Sequence, residues 1–233
     1  MMKLHDIKYF EHGKIENKKF WKRLGSIPDF KNKKVLDFGC GHGSLTLEIA
    51  ALGAQKVIGI DLEIDLINFA QENLDQNFPA LRDKVEFELI DLLTTDKFKD
   101  IDYIVTKDTF EHSLNLDQIL KKFHQILKKD GKAFVGFGPL YNFYNGDHGR
   151  AEAMLPWFHI IIPEKILIKR LNKKYKKNLK IIEDLGLNKY SLKDYLRFFE
   201  ESKFEIIYFK TNFSDNPISA IFNLLSKIKF SKN

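Results

Sequence analysis

Hydrophobic positions along the chain follow two alternating periodicities. Short apolar runs, each long enough for one strand, are separated by segments in which apolar residues recur every three or four positions. The predicted strands are 34–37, 56–60, 84–90, 101–106 and 132–137, and the predicted helices between them are 44–52, 63–76 and 116–129. Repeated strand and helix units with short links predict a parallel sheet covered by helices on both faces.

The flanking regions depart from this rhythm. Residues 1–30 form a predicted helical lead-in whose apolar face contains Ile7, Phe10, Phe20, Trp21 and Leu24. Residues 138–190 are read as an acceptor-side insertion or lid, at first rich in Gly, Pro, His and aromatic residues and then in lysine. Residues 191–233 return to the sheet, with a helix that begins at a Ser191-x-x-Asp194 capping pattern, a strand over 204–209 and an amphipathic segment over 217–230.

Composition is that of an ordinary globular protein. The chain has 233 residues, of which 44% are apolar and 30% charged, and we expect a single domain over residues 1–233 with its core at 33–137. No apolar run approaches the ~20 residues needed to cross a bilayer, and the charged N-terminus lacks a signal-peptide core. The single cysteine, Cys40, excludes an internal disulfide, so the expected location is the cytoplasm.

Positive charge is concentrated in one stretch. The chain carries a net charge of +6, and residues 163–180 contain eight Lys/Arg against one acid, Glu164. The spacing predicts an amphipathic helix with a basic outer side, which usually faces solvent. Three partners fit such a face, namely an anionic membrane surface, an RNA backbone or a phosphorylated acceptor. No aromatic RNA-binding signature accompanies it, which disfavours nucleic acid.

A glycine-rich loop follows the first predicted strand in VLDFGCGHGSLT, residues 35–46. Gly39, Gly41 and Gly43 allow a tight turn and a close approach of ligand to backbone. The spacing differs from the dinucleotide fingerprint, because Ser44 stands where the third glycine belongs, and it lacks the Gly-Lys-Ser/Thr of a P-loop. Asp37 would repel a pyrophosphate and attract a cation. S-adenosylmethionine, with its ammonium and sulfonium and no phosphate, fits better than a nicotinamide dinucleotide.

Two further acids end the next two predicted strands. Asp61, about twenty residues past the glycines, can accept both ribose hydroxyl protons. Asp91 can meet the adenine amino group, with Leu62 and Leu92 against the faces of the ring. The carboxyl ends of parallel strands share one edge of the sheet, so these acids and the glycine loop predict one cofactor site.

Five segments resemble the successive motifs of class I S-adenosylmethionine-dependent methyltransferases: VLDFGCGHG, VIGIDLEIDLINFA, FELIDLL, IDYIVTKDTFEHS and ILKKDGKAFV. The resemblance covers residues 33–137. It implies an α/β, doubly wound, Rossmann-like sheet of seven mostly parallel strands in the order 3-2-1-4-5-7-6, with helices on both faces and an insertion after strand five. It assigns Asp37 and the three glycines to the methionine end of the cofactor, Asp61 to ribose and Asp91 to adenine.

Candidate catalytic residues follow the fourth predicted strand. Asp108, Glu111 and His112 have D-x-x-E-H spacing, which would place all three on one side of a helical turn. The spacing resembles the E-x-x-E-H metal site of some magnesium-dependent O-methyltransferases, which implies Mg²⁺ bound by these residues. The alternative is a Glu-His pair that orients the loop without metal.

Two histidines of the insertion are the other candidates. His148 and His159 could each act as a general base toward a hydroxyl, or could be hydrogen-bonded structural histidines. The neighbouring aromatic residues could line an acceptor pocket or pack as an ordinary lid; they are Tyr141, Phe143, Tyr144 and Trp157.

These observations predict an S-adenosylmethionine-dependent methyltransferase that acts on oxygen of a small-molecule, glycan or quinone-like acceptor. The alternative is a catalytically silent module with the same fold that binds RNA or an anionic membrane through residues 163–180. Peripheral membrane contact stays open in either case.

Overall fold

A computed structural model of the chain describes residues 2–152 and 155–211. One sheet contains five strands, namely β1 (Lys34–Phe38), β2 (Lys56–Asp61), β3 (Val85–Leu89), β4 (Ile101–Lys107) and β5 (Leu127–Gly136). Their order in the sheet is β3-β2-β1-β4-β5. Every pairing is parallel. The strand order reverses beside β1, which is where such sheets bind their ligands.

The helices cover both faces. They are α1 (Leu4–Leu24), α2 (Ser44–Ala51), α3 (Ile64–Asn77), α4 (Leu116–Ile126), α5 (Phe158–Ile161), α6 (Glu164–Tyr175) and α7 (Leu192–Glu201). Alternate residues of a strand point to opposite faces, so Val35 packs in the core under α1, α2 and α3, whereas Leu36 packs in the core under α4 and α7. The predicted doubly wound α/β arrangement is confirmed.

The helical lead-in is α1, which buries Phe10, Phe20 and Trp21 but leaves Ile7 37% exposed. The predicted Ser191-x-x-Asp194 cap is also present, because Ser191 Oγ accepts from the Asp194 N–H and the Asp194 carboxylate accepts from the Ser191 N–H. The insertion has a small core of its own, formed by Ala151, Leu167, Ile168, Leu171, Ile182 and Leu187.

Two expectations for the sheet are wrong. Residues 204–209 form no strand, and Ile206, Ile207 and Phe209 are each about half exposed or more, because this segment makes no ladder with the edge strand β5. Strands six and seven are therefore not seen in the described part of the chain, and the 217–230 segment lies outside it. The predicted turn at Asp130 and Gly131 is instead part of β5, as an irregularity in its pairing with β4.

Candidate functional site

The glycine loop (residues 39–43) is hydrogen-bonded to the end of β2. The N–H groups of Gly39 and Cys40 both donate to the carbonyl oxygen of Ile60, at 2.9 and 3.0 Å, and the N–H of Gly41 donates to Asp61 Oδ2 at 2.8 Å. Gly41 has a φ of 53°, and a Cβ there would meet nothing within 4 Å. Its backbone is therefore open to a ligand, while its neighbours hold it in a conformation that favours glycine.

Asp37 is a buried carboxylate beneath this loop. It is 1% exposed, and its Oδ2 accepts a hydrogen bond from Thr46 Oγ1 at 2.6 Å. Burial raises the pKa of Asp37 to about 6, an effect that the Thr46 hydroxyl partly offsets. A cationic ligand would stabilise the ionised form of such a group, which agrees with the predicted preference for an ammonium or sulfonium over a phosphate.

Asp61 shapes the loop as well as ending β2. Its Oδ1 accepts from the N–H groups of Leu62 at 2.8 Å and Glu63 at 3.1 Å, in addition to the Gly41 bond on Oδ2. A carboxylate has about four acceptor directions, of which three are used here. The sequence predicted a ribose contact for Asp61, and the hydrogen bonds show a further structural task at the same carboxylate.

The predicted adenine side is only partly open. Asp91 is exposed and caps the short turn Leu92–Thr94, with its Oδ1 accepting from the Leu93 N–H at 2.9 Å. Leu62 is 68% exposed, whereas Leu92 is 1% exposed and packs in the core under α4. The expected contact of Leu92 with a ring face conflicts with this burial, because its side chain is already covered by protein.

The expected Asp108, Glu111 and His112 triad is not formed. The helical turn here is a three-residue 3₁₀ turn, Phe110–His112, that begins after Asp108. Asp108 itself has a left-handed backbone with φ of 55°, and its side chain is 54% exposed. The i, i+3 argument therefore does not apply to Asp108, and this set of residues does not fit the Mg²⁺ site implied by the spacing.

His148, which belongs to the insertion, lies close to Glu111 and His112. One possible ligand atom each from Glu111, His112 and His148 lie within 4.8 Å of one another. The rings of the two histidines are 5.0 Å apart, edge to face. The structure thus brings together one predicted general base and two of the three predicted metal ligands.

Backbone carbonyls fix the tautomers of both histidines. His112 Nδ1 is 2.7 Å from the carbonyl oxygen of Gly186, and His148 Nε2 is 2.9 Å from that of Pro139. A carbonyl oxygen only accepts, so these two nitrogens carry the protons in neutral rings. The lone pairs of the neutral rings are therefore on His112 Nε2, which lies 3.5 Å from an Arg150 guanidinium nitrogen, and on His148 Nδ1.

Burial also controls protonation in this cluster. It raises the pKa of Glu111 to about 8, and together with the nearby Arg150 guanidinium it lowers the pKa of His112 to about 4. Burial lowers the pKa of His148 as well. Both imidazoles are therefore neutral at pH 7, as a proton acceptor or a metal ligand requires.

His159 is placed as a structural histidine. It is 2% exposed, its Nε2 hydrogen-bonds with the carbonyl oxygen of Tyr141 at 2.6 Å, and the Tyr141 hydroxyl donates back to the His159 carbonyl at 3.2 Å. The remaining predicted pocket aromatics contact one another, with Tyr144 and Trp157 ring centroids 6.1 Å apart. Their role toward an acceptor stays a prediction.

Two residues near the cluster carried no sequence signal. Asn188 is 3% exposed, and its side-chain amide donates to the carbonyls of Phe110 at 2.6 Å and Ser113 at 2.9 Å, which fixes the turn that presents Glu111. Arg150 lies with a guanidinium nitrogen 3.5 Å from His112 Nε2. A lone Asn before a helix cap and an arginine in an irregular segment are common, so only the fold reveals their positions.

Arg150 also lines a cleft of about 420 Å³ in the insertion, together with Tyr175, Lys177 and Leu179. The predicted basic helix is present as α6, with Leu167 and Leu171 buried, but it ends at Tyr175, so Lys176, Lys177 and Lys180 lie beyond it. Contact of this helix with a membrane or RNA remains a prediction. Among the described residues, no helix is long and apolar enough to span a bilayer.

Comparison with known proteins gives matches over the sheet. A family model described as a methyltransferase domain matches residues 29–136. The mitochondrial ubiquinone biosynthesis O-methyltransferase of Bos taurus is 35% identical over 104 residues, which are 44% of this chain and 28% of that protein. Phosphoethanolamine N-methyltransferase 3 of Arabidopsis thaliana is 34% identical over 105 residues, 44% of this chain and 20% of that protein.

The chain spans between about a sixth and a half of the length of the curated relatives it matches. A solved structure, the geranyl diphosphate C-methyltransferase of Streptomyces coelicolor A3(2), superimposes with a TM-score of 0.53 and 14% identity. The match covers 81% of this chain and 60% of that one, and it shows a shared fold.

Proposed function

We propose, from the match of residues 29–136 to a methyltransferase-domain family model and from the resemblance of the motifs to class I S-adenosylmethionine-dependent enzymes, that this protein transfers a methyl group from S-adenosylmethionine to an oxygen of a small-molecule acceptor. The observation that carries the proposal is the glycine loop, held by Asp61 above the buried Asp37. The acceptor class covers small hydroxylated molecules, glycans and quinone-like compounds.

The cofactor part rests on charge. The ammonium and sulfonium of S-adenosylmethionine complement the Asp37 carboxylate, which is unfavourable when ionised in its buried position. A diphosphate would meet the same carboxylate with like charge. The Gly41 backbone is open for the methionine moiety, and Asp61 and Asp91 stand at the ends of β2 and β3 for the nucleoside.

The acceptor part rests on the cluster of Glu111, His112 and His148. Methyl transfer forms an oxygen–carbon bond, breaks the sulfur–carbon bond of the sulfonium and releases the hydroxyl proton of the acceptor. The cluster lies after β4 in the same segment as Thr109, whose hydroxyl oxygen is 3.1 Å from the carbonyl oxygen of Lys107 and 3.3 Å from that of Phe38, before the glycine loop. The chain connection through Thr109 supports a role for the two neutral imidazoles in activating the acceptor hydroxyl.

The names of the curated relatives support a small molecule as acceptor. One set acts in ubiquinone biosynthesis as O-methyltransferases and another methylates phosphoethanolamine on nitrogen. We favour oxygen for this chain because an amine is a nucleophile once it is deprotonated in solution, whereas a hydroxyl benefits from the neutral histidines found here.

The test is transfer of radiolabelled methyl from S-adenosylmethionine into fractionated cell extract, followed by identification of the labelled species. We expect label in a small hydroxylated molecule. His148→Gln should lower transfer at least a hundredfold and leave cofactor affinity within about twofold, because it removes a group on the acceptor side. His12→Gln, an exposed histidine of α1, is the matched control. Label confined to protein or RNA would contradict the proposed acceptor class.

A further inference from the structure

We propose that Glu111, His112 and His148 form a binding site for a divalent transition-metal ion and that Zn²⁺ binds there most tightly. The site differs from the Mg²⁺ triad that the sequence implied, because His148 takes the place of Asp108. The proposal deepens the proposed function, on which it rests for its catalytic meaning but not for its metal chemistry.

The geometry is close to that of a ligand set. The three candidate ligand atoms lie within 4.8 Å of one another. Around a tetrahedral Zn²⁺ with bonds of about 2.0–2.2 Å, ligand atoms lie roughly 3.3 Å apart. Side-chain adjustments of about an ångström would close the set, and His148 and His112 are half-buried side chains whose rings already contact each other.

Outer hydrogen bonds are already in place. Metal-binding histidines usually donate their second ring N–H to a carbonyl or carboxylate, which fixes the ring and leaves the other nitrogen free. Both histidines do this, toward the carbonyls of Gly186 and Pro139. Two independent rings of one cluster, from segments 36 residues apart in the sequence, are thus oriented with lone pairs available.

The carboxylate supplies a second, independent observation. Glu111 is 3% exposed, its Oε1 accepts from the Gly138 N–H at 3.1 Å, and its Oε2 is buried without a hydrogen-bond partner within the ranges 2–152 and 155–211. Buried carboxylate oxygens without partners are rare because they are costly. A bound cation would provide the missing partner.

The donor types select the metal. Two imidazole nitrogens and one carboxylate oxygen suit Zn²⁺ and its neighbours in the first transition series, whereas Mg²⁺ prefers an all-oxygen octahedral shell. Three protein ligands leave a fourth position open. A metal at this position would supply Lewis acidity toward an acceptor oxygen.

Arg150 opposes the metal electrostatically. Its guanidinium is exposed and anchored by hydrogen bonds to the carbonyls of Leu185 and Gly186, both 2.8 Å, and only its second terminal nitrogen reaches His112 Nε2, at 3.5 Å. A contact of that length is weak. The inference therefore includes a direction for this residue: Arg150→Gln should strengthen metal binding.

The test is calorimetric titration of the chelator-treated full chain with ZnCl₂ and separately with MgCl₂, without cofactor or acceptor. We expect one Zn²⁺ per chain and Mg²⁺ binding at least a hundredfold weaker. Glu111→Gln, which keeps the acceptor for Gly138, and His148→Gln should each weaken Zn²⁺ binding at least tenfold. Asp108→Asn and His12→Gln should leave it within about twofold. Circular dichroism checks that each variant is folded.

Absence of stoichiometric Zn²⁺ binding would overturn the proposal, and so would binding that Asp108→Asn weakens while His148→Gln does not. Co²⁺ absorption bands in the visible region, lost in His148→Gln, would support it independently of heat signals. S-adenosylmethionine binding, measured on the same metal-free preparation, separates failure of the metal site from failure of the proposed function.

Discussion

At the scale of single residues, burial of the Asp37 carboxylate destabilises the free protein when the group is ionised, and a cationic ligand would offset that cost. Its carboxylate is 1% exposed and has Thr46 as a hydrogen-bonding partner, and burial still raises its pKa to about 6. Ionisation of Asp37 therefore costs more free energy in the folded protein than in the unfolded chain, and the group ionises only as the pH rises through about 6. A bound cation would remove that disadvantage, which links cofactor affinity to stability at this residue.

Asp37→Asn tests that link. The folded protein holds a proton on Asp37 up to about pH 6, whereas the usual pKa is 3.8, so the wild type is expected to lose about 3 kcal/mol of unfolding free energy as pH rises from below 4 to above 6. The asparagine variant lacks this loss. We therefore expect the difference in unfolding free energy, variant minus wild type, to grow by about that amount across this window in urea titrations.

The same variant should bind S-adenosylmethionine at least tenfold more weakly at pH 7.5, because the amide does not attract a cation. Asp83→Asn, at an exposed position, is the control for both measurements. A difference in stability that does not change with pH, together with unchanged cofactor affinity, would show that Asp37 is only a packing residue.

The residues that we propose to bind the cofactor could be identified from the sequence because they lie within one loop or at strand ends. The glycines and Asp37 share a nine-residue stretch, and Asp61 follows from the next strand. The acceptor side was less accessible. His148 meets Glu111 only through the path of the insertion, and local spacing wrongly favoured Asp108, whose left-handed backbone turns it out of the cluster.

At the scale of elements, α1 is braced against α2 beside the glycine loop. Both oxygens of Glu48 on α2 accept hydrogen bonds from α1, one from Trp21 Nε1 at 3.0 Å and one from Asn17 Nδ2 at 2.8 Å. A Cβ on Gly13 would lie 2.4 Å from Ser44 Oγ, so the two helices approach closely where α2 begins. This brace helps to hold the first turn of α2, which follows the glycine loop.

Glu48→Ala should lower the unfolding free energy by about 2–4 kcal/mol, because it leaves the buried Trp21 and Asn17 donors without partners. Urea unfolding followed by tryptophan fluorescence measures the change. Glu16→Ala removes an exposed ion pair with Lys19 on the outer face of α1 and should cost less than about 1 kcal/mol. Equal effects of the two substitutions would contradict the brace.

Hydrophobic periodicity predicted the strands and helices well where each element buries one apolar face against its neighbours in the chain. β1 to β4 and helices α2 to α4 lie within a few residues of their predicted bounds. The failure at 204–209 has a physical reason, since an apolar segment rich in β-branched and aromatic residues becomes a strand only when a sheet edge pairs with it. The irregular first part of β5 could not be predicted from the sequence either, because the Asp130-Gly131 pair is typical of turns.

At the scale of the whole molecule, the candidate site contains residues from both the sheet and the insertion. The glycine loop is the β1–α2 connection, Asp61 ends β2, and Glu111 and His112 follow β4. The insertion supplies His148, and near its end Asn188 fixes the 110–113 turn. Such contacts between distant segments depend on the complete fold, so the sequence alone predicted the candidates but not their grouping.

The central claim is that the crevice at the carboxyl ends of β1 and β2 recognises a sulfonium nucleoside and excludes a dinucleotide. Calorimetric titration of the full chain with S-adenosylmethionine, NAD and NADP tests it most directly. We predict one S-adenosylmethionine per chain, no detectable dinucleotide binding, and at least tenfold weaker cofactor binding in Asp61→Asn than in Asp65→Asn on the first turn of α3. Binding of NAD with S-adenosylmethionine excluded would contradict the account.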